Sequence, residues 1–351
     1  MSETMKKWLI TAGCALGAIV LTALIGVLIV KMTGGEGSVK PSESEAVVDS
    51  TDENEGESKT PEATTEETPS ETEATTEEST TEEPSSETEP PETEPPVVVA
   101  DIHQLSAEEI ADIRANYKDT EQYFYAGGSD RDEQNRAQSC VTRNDWLNNA
   151  IGNVIVFGPD TNPPSVYFSF ILTTEYAPNT EDILNVLAAL GIRGLFLTDK
   201  PYAEHNPAII QRILNEGHEI GSMGATLPEG GIAKLGLEEL TANLYDFHCY
   251  MRDTYGYVMG KFYFSYDLYS EQAVATAVRM GYHVIFYSAN YEDYDHNKAI
   301  DLTNFMNSLA YQLHPGCIIN LHTTNRASVD VIGQISTYAI QQGYTISNRL
   351  P

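Results

Sequence analysis

Hydrophobic and polar positions follow two alternating periods from Asn153 onward. Short β-branched or aromatic runs are separated by longer segments whose apolar residues recur at helical spacing. The predicted strands are VIVF, VYFSFIL, RGLFL, KFYF, HVIFYS and CIINL. Because parallel strands need helical crossovers, this alternation over about 190 residues predicts an α/β fold with a parallel sheet or barrel. In barrels of this kind the chemistry lies at the carboxyl ends of the strands.

Capping residues divide the helical segments at regular places. The predicted helix starts are Asn179 or Thr180, Asn206 before Pro207, Ser270 and Ser328, and the predicted ends are Gly191, Gly217, Gly281 and Gly343. Ahead of the barrel, the pattern predicts one polar helix from Ser106 to Tyr117 and then irregular structure as far as Asn149.

The amino-terminal segment has a different pattern. Residues 8–30 contain no charged residue and are flanked by Lys6, Lys7 and Lys31. At about 1.5 Å per residue, this run can cross a bilayer core of roughly 30 Å. We expect an uncleaved signal anchor in the cell membrane, with a cytoplasmic amino terminus and an extracellular carboxyl-terminal domain. A cleaved signal peptide is the main alternative, although its apolar region usually spans only about 7 to 15 residues.

Composition explains most of the acidity of the chain. The net charge is -32, and residues 34–96 carry 21 acidic residues against only Lys40 and Lys59. This Glu, Thr, Ser and Pro-rich segment has almost no apolar residue with which to form a core, so we expect a disordered stalk. The predicted divisions are 1–33 for the tail and anchor, 34–97 for the stalk, 98–164 for an extension and 165–351 for the barrel. We expect no nucleic-acid partner.

The barrel segment resembles a known family. VYFSFILTTEYAPNTEDILNVLAALGIRGLFLT, NPAIIQRILNEGHEIGSM, AVRMGYHVIFYSANYEDYDHN and LHPGCIINLH resemble, in order and spacing, the NodB-homology domain of polysaccharide deacetylases. HPG before CIINLH is most similar to the branch that deacetylates muramic acid in peptidoglycan. The resemblance covers about residues 165–350 and implies a distorted (β/α) barrel that follows the membrane helix and the stalk. It also implies a divalent metal such as Zn as the family's cofactor.

Most of the family's metal site is missing from this sequence. In the family, Phe-Asp-Asp supplies a general base and a metal ligand, and Gly-Asn-His-x-x-x-His supplies two histidine ligands. Here Phe170 is followed by Ile171 and Leu172, and Met223 and Leu227 stand at the two histidine positions. Aliphatic side chains have no lone pair for a metal, and a lone thioether is more typical of packing. The resemblance therefore predicts that the metal and its cofactor role have been lost.

Four residues of the family's remaining motifs are present: Tyr266, Asp293, Leu321 and His322. The Arg-Pro-Pro-Tyr-Gly motif appears as YFSYD, with Tyr263 at the arginine position and Tyr266 at the tyrosine position. The Asp-x-x-Asp-Trp motif appears as NYEDY, with Asn290 at the first carboxylate position and Asp293 at the second, and His322 matches the Leu-His motif. By resemblance, Asp293 tunes the acid His322. Without a metal and a base, we expect a vestigial pair whose hydrogen bond holds two strand ends together.

Three functions remain open at this point. Tyr266, Tyr291 and Tyr294 lie near strand ends, where rings can stack on sugar faces, so a cell-wall glycan-binding module is one hypothesis. An inactive scaffold for a wall-associated protein is the second. The third is an active N-deacetylase with a rearranged site, for which the candidate residues are Glu175, Asp199, Asp267, Asp293 and His322. We expect catalytic inactivity. Cys140, Cys249 and Cys317 allow either one disulfide or three free thiols.

Overall fold

A computed structural model describes residues 102–350. Its strands are β1 (Gln122–Tyr123), β2 (Val154–Ile155), β3 (Ser165–Leu172), β4 (Leu195–Thr198), β5 (Glu219–Ser222), β6 (Lys261–Phe262), β7 (Leu268–Tyr269), β8 (His283–Ile285), β9 (Ala289–Asn290), β10 (Cys317–His322) and β11 (Thr345–Ile346). Its α-helices are α1 (Ala107–Asn116), α2 (Gln138–Ala150), α3 (Asn179–Leu190), α4 (Lys200–His205), α5 (Pro207–Asn215), α6 (Leu237–Tyr255), α7 (Glu271–Met280), α8 (Leu302–Gln312) and α9 (Arg326–Gln341).

The predicted membrane anchor at residues 8–30 and the predicted stalk at residues 34–97 lie outside the described residues. Among residues 102–350, no helix combines the length and the apolar character that a membrane span requires. The described extension and barrel, residues 102–350, belong to one compact unit.

The main sheet has nine strands, all paired in parallel. Its order is β2-β8-β6-β5-β4-β3-β10-β9, and β11 pairs with β3. Only three residues separate β8 from β9, yet these two strands pair at opposite ends of that order. The amide of Phe286 donates to Ile155 and the amide of Ser288 donates to Ile318, so this one segment bridges both ends of the curled sheet. The prediction of a distorted parallel barrel is confirmed for residues 102–350.

Strand β3 forms the centre of the barrel because it is apolar on both faces. All eight of its residues, SVYFSFIL, are buried, which is typical of a parallel strand covered on both sides. Phe170 stacks on Phe196 of β4 with ring centroids 4.9 Å apart. Its neighbour β10 is paired with it along its full length, which brings His322 beside Ile171. The two strand ends that carry the family's first and last motifs are therefore adjacent.

Most of the predicted helix boundaries are confirmed. Gly191 and Gly281 end their helices in the left-handed region, where glycine has no steric penalty, and the Ser270 hydroxyl caps α7. The predicted start at Ser328 is wrong by a few residues. Asn325 is the N-cap of α9, and its side chain accepts from the amide of Ala327. The side chain of Ser328 instead contributes to the functional site.

The predicted irregular stretch before Asn149 is wrong, because it contains α2. This helix is mostly polar, and only Cys140 and Leu147 are buried. Its N-cap is Ala137, whose side chain cannot form the capping hydrogen bond that would mark a helix start in the sequence. The extension is fixed to the barrel by β1, which pairs antiparallel with β7, and by Phe124, which stacks on Phe286 at 4.5 Å.

All three cysteines of the described residues are free, so the alternative with a disulfide is not supported. Burial raises the pKa of the Cys140 and Cys317 thiols to about 12, so both are protonated packing residues at neutral pH.

Candidate functional site

A cleft of about 1080 Å³ opens at the carboxyl ends of the strands, where the barrel architecture places ligand sites. Nearly all the sequence-predicted site residues line this cleft. They are Ile171, Met223, Leu227, Tyr263, Asn290 and His322, together with Tyr266, Tyr291 and Tyr294. Segments that follow β3, β5, β6, β9 and β10 therefore converge here, as the order of the motifs predicted.

The floor of the cleft is apolar at the positions where the family has its general base and its two histidine ligands. Ile171 and Met223 are exposed by only 4% and 2%, and Leu227 is half-buried. Leu172 does not reach the cleft; its side chain is completely buried in the core. A divalent metal needs oxygen, nitrogen or thiolate donors, which Ile and Leu lack and Met supplies only as a thioether. These residues do not fit the family's metal.

No group of three His, Cys, Asp or Glu side chains within residues 102–350 could hold a metal ion elsewhere. The acids proposed for a rearranged site are engaged separately. Glu175 accepts hydrogen bonds from the hydroxyls of Thr180 and Tyr202, and Asp199 caps α4 through the amide of Tyr202 at 2.8 Å. Neither side chain lines the cleft, so of the five candidates only Asp267 and His322 line it, with Asp293 hydrogen-bonded to His322.

His322 and Asp293 do form the predicted pair. Asp293 is completely buried, and its Oδ1 lies 2.8 Å from His322 Nδ1. Its Oδ2 accepts from the backbone amide of His322 at 2.9 Å and from the hydroxyl of Ser328 at 2.8 Å. Asp293 thus joins the segment after β9 to the end of β10 and to the first turn of α9. His322 is a quarter exposed and faces the cleft, with the Tyr294 ring centroid 6.1 Å away.

Asp267 supplies a carboxyl group that lines the cleft. Its Oδ1 accepts from the Tyr263 hydroxyl at 2.8 Å, and its Oδ2 accepts from the Tyr287 hydroxyl at 2.7 Å. Burial raises the pKa of the Asp267 carboxyl, although both tyrosine hydroxyls and His322 oppose this shift. Asp267 occupies the glycine position of the family's motif and adopts φ +57°, next to Tyr266 at φ +61°. This backbone conformation, rare for residues with a side chain, directs both residues of the turn into the cleft.

The predicted aromatic residues are present at the rim and are open to solvent. Tyr266 and Tyr294 are each 62% exposed. Tyr291 is half-buried because its ring stacks on Phe305 of α8 at 4.4 Å, so one face of the ring is covered by protein. Of the three predicted aromatic residues, two are therefore exposed rings and one is a ring supported by the protein.

Sequence reasoning missed the far wall of the cleft. Tyr123, Tyr125 and Arg131 come from the extension, and Tyr311 comes from α8; the guanidinium of Arg131 lies 4.5 Å from the Tyr311 ring centroid. All three tyrosines are more than half exposed. The motif order gave no sign of this wall, since the extension lies outside the resemblance. The closely spaced aromatic residues of the sequence QYFYAGG were the one available signal.

Comparisons with known proteins agree with the geometry. The family model described as Polysaccharide deacetylase matches residues 158–285. Peptidoglycan-N-acetylmuramic acid deacetylase PdaA of Bacillus subtilis is 24% identical over 201 residues, which are 54% of this chain and 71% of that protein. The solved structure of Bacillus subtilis PdaA, a family 4 carbohydrate esterase, superposes with a TM-score of 0.56 at 20% identity, over 66% of this chain and 95% of that chain.

A mutant of a family 4 carbohydrate esterase pseudoenzyme from Bacillus anthracis, described as having restored enzymatic activity, superposes with a TM-score of 0.50. It is 17% identical, over 55% of this chain and 68% of that chain, which is a likeness of fold. Motif order, cleft position and the matched family model agree, and the predicted resemblance to polysaccharide deacetylases is confirmed.

Proposed function

We propose that this chain is a membrane-anchored, extracytoplasmic member of the family that binds a cell-wall glycan in the cleft without deacetylating it. The observation that carries the proposal is the contrast between the floor and the rim. The floor is apolar at Ile171, Met223 and Leu227, whereas the rim carries exposed rings at Tyr266 and Tyr294. PdaA, to which the chain is similar, is by its name a peptidoglycan deacetylase, which favours a wall glycan as the ligand.

Inactivity follows from the chemistry that amide hydrolysis requires. The family's reaction needs a metal to polarise the carbonyl and its bound water, and a carboxylate to take the proton of that water. Ile171 and Leu172 stand at the base and ligand positions and can do neither. His322 keeps the position of the acid, but an acid alone cannot generate the attacking hydroxide.

Glycan binding follows from the rings. A tyrosine offers an apolar face for the ring of a sugar and a hydroxyl for its polar edge. Residues 97–351 contain 30 acidic and 15 basic residues, so the unit is itself acidic and charge would oppose adhesion to an anionic wall. Binding through rings is short-ranged and should persist at high salt, because screening weakens only the charge contribution.

The anchored position outside the cell rests on the uncharged run at residues 8–30 and on the acidic stalk that follows it. About 60 extended residues at up to ~3 Å each would let the compact unit reach more than about 100 Å from the membrane. The proposed partner is therefore wall polymer at a distance from the bilayer.

Co-sedimentation with purified wall sacculi at low and high ionic strength tests the proposal. The full chain, kept soluble with a mild detergent, should bind at both salt concentrations. A triple variant with Tyr266→Ala, Tyr291→Ala and Tyr294→Ala should bind much less. Ile340→Ala is the control, because Ile340 is 60% exposed on α9 and does not line the cleft. Absence of binding at both salts, or equal binding by the triple variant, would favour the wall-associated protein as partner instead.

One observation favours a second candidate, an N-deacetylase with a rearranged site. The carboxyl group of Asp267, whose pKa is raised by burial, lines the same cleft as His322. A carboxyl and an imidazole on one cleft are the groups that general acid and base catalysis uses. This candidate predicts acetate release that depends on both Asp267 and His322.

A further inference from the structure

A second cleft, of about 590 Å³, adjoins the first one. It is lined by residues of the extension between Tyr123 and Trp146, all of which precede the residues matched by the family model. Tyr123, Tyr125, Gly127 and Gly128 line both clefts, so the two spaces share one wall. We call this shared segment, residues 123–128, the ridge.

The ridge is fixed in place by α2 and the barrel. The Ser139 hydroxyl donates to the backbone oxygen of Gly127 at 2.8 Å, which ties the ridge to the first turn of α2. Arg143 of α2 donates to the side chain of Gln122 at 2.5 Å, and its guanidinium lies 5.5 Å from the Tyr269 ring centroid in β7. Both walls of the second cleft are therefore held by hydrogen bonds and packing.

Two glycines of the ridge, Gly127 and Gly128, leave no side chains of their own beside the Tyr125 ring. A Cβ at Gly127 would clash with the Tyr125 side chain, so the Tyr125 ring lies directly over the backbone of Gly127. Gly128 has φ +131°, a conformation that residues with side chains rarely adopt, and no side chain stands there. The Tyr125 side chain is 61% exposed and lines both clefts.

The lining of the second cleft matches the chemistry of a sugar. Trp146 provides an aromatic face that is half-buried, and the Arg143 guanidinium, 5.3 Å from that ring, holds it from one side. Around it stand the polar side chains of Asp130, Gln138 and Thr142. Rings bordered by hydroxyl, amide and carboxylate groups provide stacking for a pyranose face and hydrogen bonds for its hydroxyls.

We propose that the ligand is a linear glycan strand that crosses the ridge and occupies both clefts, with Trp146 and the ridge tyrosines stacking on sugars beyond those held near His322. This inference rests on the proposed glycan-binding function and specifies its ligand class, a strand of several sugars. A short oligosaccharide would fill the first cleft only. The extension would then set the preferred strand length.

The test uses peptide-free glycan strands released from purified sacculi and separated by length, titrated calorimetrically into the full chain. Affinity should rise with strand length until both clefts are filled. Trp146→Ala should weaken binding of the longest strands by roughly tenfold and leave binding of the shortest unchanged. Tyr294→Ala, in the first cleft, should weaken binding at every length, and Ile340→Ala should change neither. Trp146→Phe, which keeps a ring, should restore most of the long-strand affinity.

The outcomes separate this inference from the function on which it rests. One outcome overturns the two-cleft inference alone: wild type binds, Tyr294→Ala weakens binding, and folded Trp146→Ala binds the longest strands as tightly as wild type. The proposed glycan-binding function would then stand. The Asp130→Ala variant, altered at an exposed residue of the second cleft, guards against misfolding of Trp146→Ala and should show the same selective loss. If wild type binds no strand of any length, both proposals are overturned.

Discussion

Replacing Asp293 with alanine should destabilise the protein far more than its position at the end of a strand suggests. The side chain is completely buried and accepts three hydrogen bonds, from the amide and the ring of His322 and from the hydroxyl of Ser328. Alanine would leave these donors without their acceptor at a completely buried position. The change therefore tests whether the pair holds the strand ends together.

The magnitude follows from those contacts. A buried donor without a partner costs about 1–3 kcal/mol, and breaking a buried pair from one side costs about 3–5 kcal/mol. We expect Asp293→Ala to lower the free energy of unfolding by about 3–5 kcal/mol. For a unit of about 250 residues each kcal/mol lowers the melting temperature by about 2–4 °C, so the decrease should be roughly 10 °C.

Urea unfolding and thermal melting, followed by circular dichroism, measure the effect. The matched control is Glu292→Ala, one residue away. The Glu292 side chain is 75% exposed and pairs only with Lys298 at 2.8 Å, and such surface pairs contribute about 0–1 kcal/mol. If Asp293→Ala were no less stable than Glu292→Ala, the pair would not be structural. Its presence in the cleft would then need a chemical explanation.

Three further outcomes are expected. The purified chain should carry no stoichiometric Zn, Co, Ni or Mn by elemental analysis; one equivalent that survives dialysis and is lost in His322→Ala would revive a rearranged metal site. Peptidoglycan fragments and chitin oligomers should release acetate no faster than without protein, and neither His322→Ala nor Asp267→Asn should alter that baseline; acetate release that either variant abolishes would support the second candidate. Burial lowers the pKa of His314 to about 4, so the unfolded chain binds a proton between pH 6.5 and 4 that the folded chain does not. Stability should therefore fall by up to about 3 kcal/mol across that window as pH decreases, and His314→Asn should flatten this part of the urea-midpoint profile; an unchanged slope would refute the assignment to His314.

The barrel could be predicted from the sequence because its strands are apolar on both faces. A continuous apolar run such as VYFSFIL indicates a buried strand. The glycines at 191 and 281 end helices at positions that residue propensity alone identifies. Prediction was poor where burial is slight. Helix α2 has only two buried residues and no capping side chain, so its segment carries no amphipathic signal. Strands of two residues, such as β1 and β7, are defined by pairing and not by local sequence.

The sequence predicted the site residues that belong to the family's motifs, but not the residues of the extension that surround them. His322 and Asp293 could be paired because the family resemblance assigns them to one acid. In the sequence Asp267 is only one of several separated acidic residues, because no spacing rule joins it to Tyr287, which is 20 residues away. Tertiary contact alone brings the extension to the cleft, which is why Tyr123 and Tyr125 were absent from the prediction.

The differences from the family's motifs form a consistent physical pattern. The side chains at positions 171 and 223 are only 4% and 2% exposed. Without a metal, a carboxylate or imidazole at either position would lose its hydration and gain no partner, which costs several kcal/mol. Ile171 and Met223 avoid that cost. Asp293 needs no metal, because its two oxygens are satisfied by the amide and ring of His322 and by Ser328. The groups that depend on a metal are thus replaced, and the pair that is satisfied by protein alone is present. A cleft built in this way is stable without an ion and still exposes the aromatic rim on which the proposed glycan binding depends.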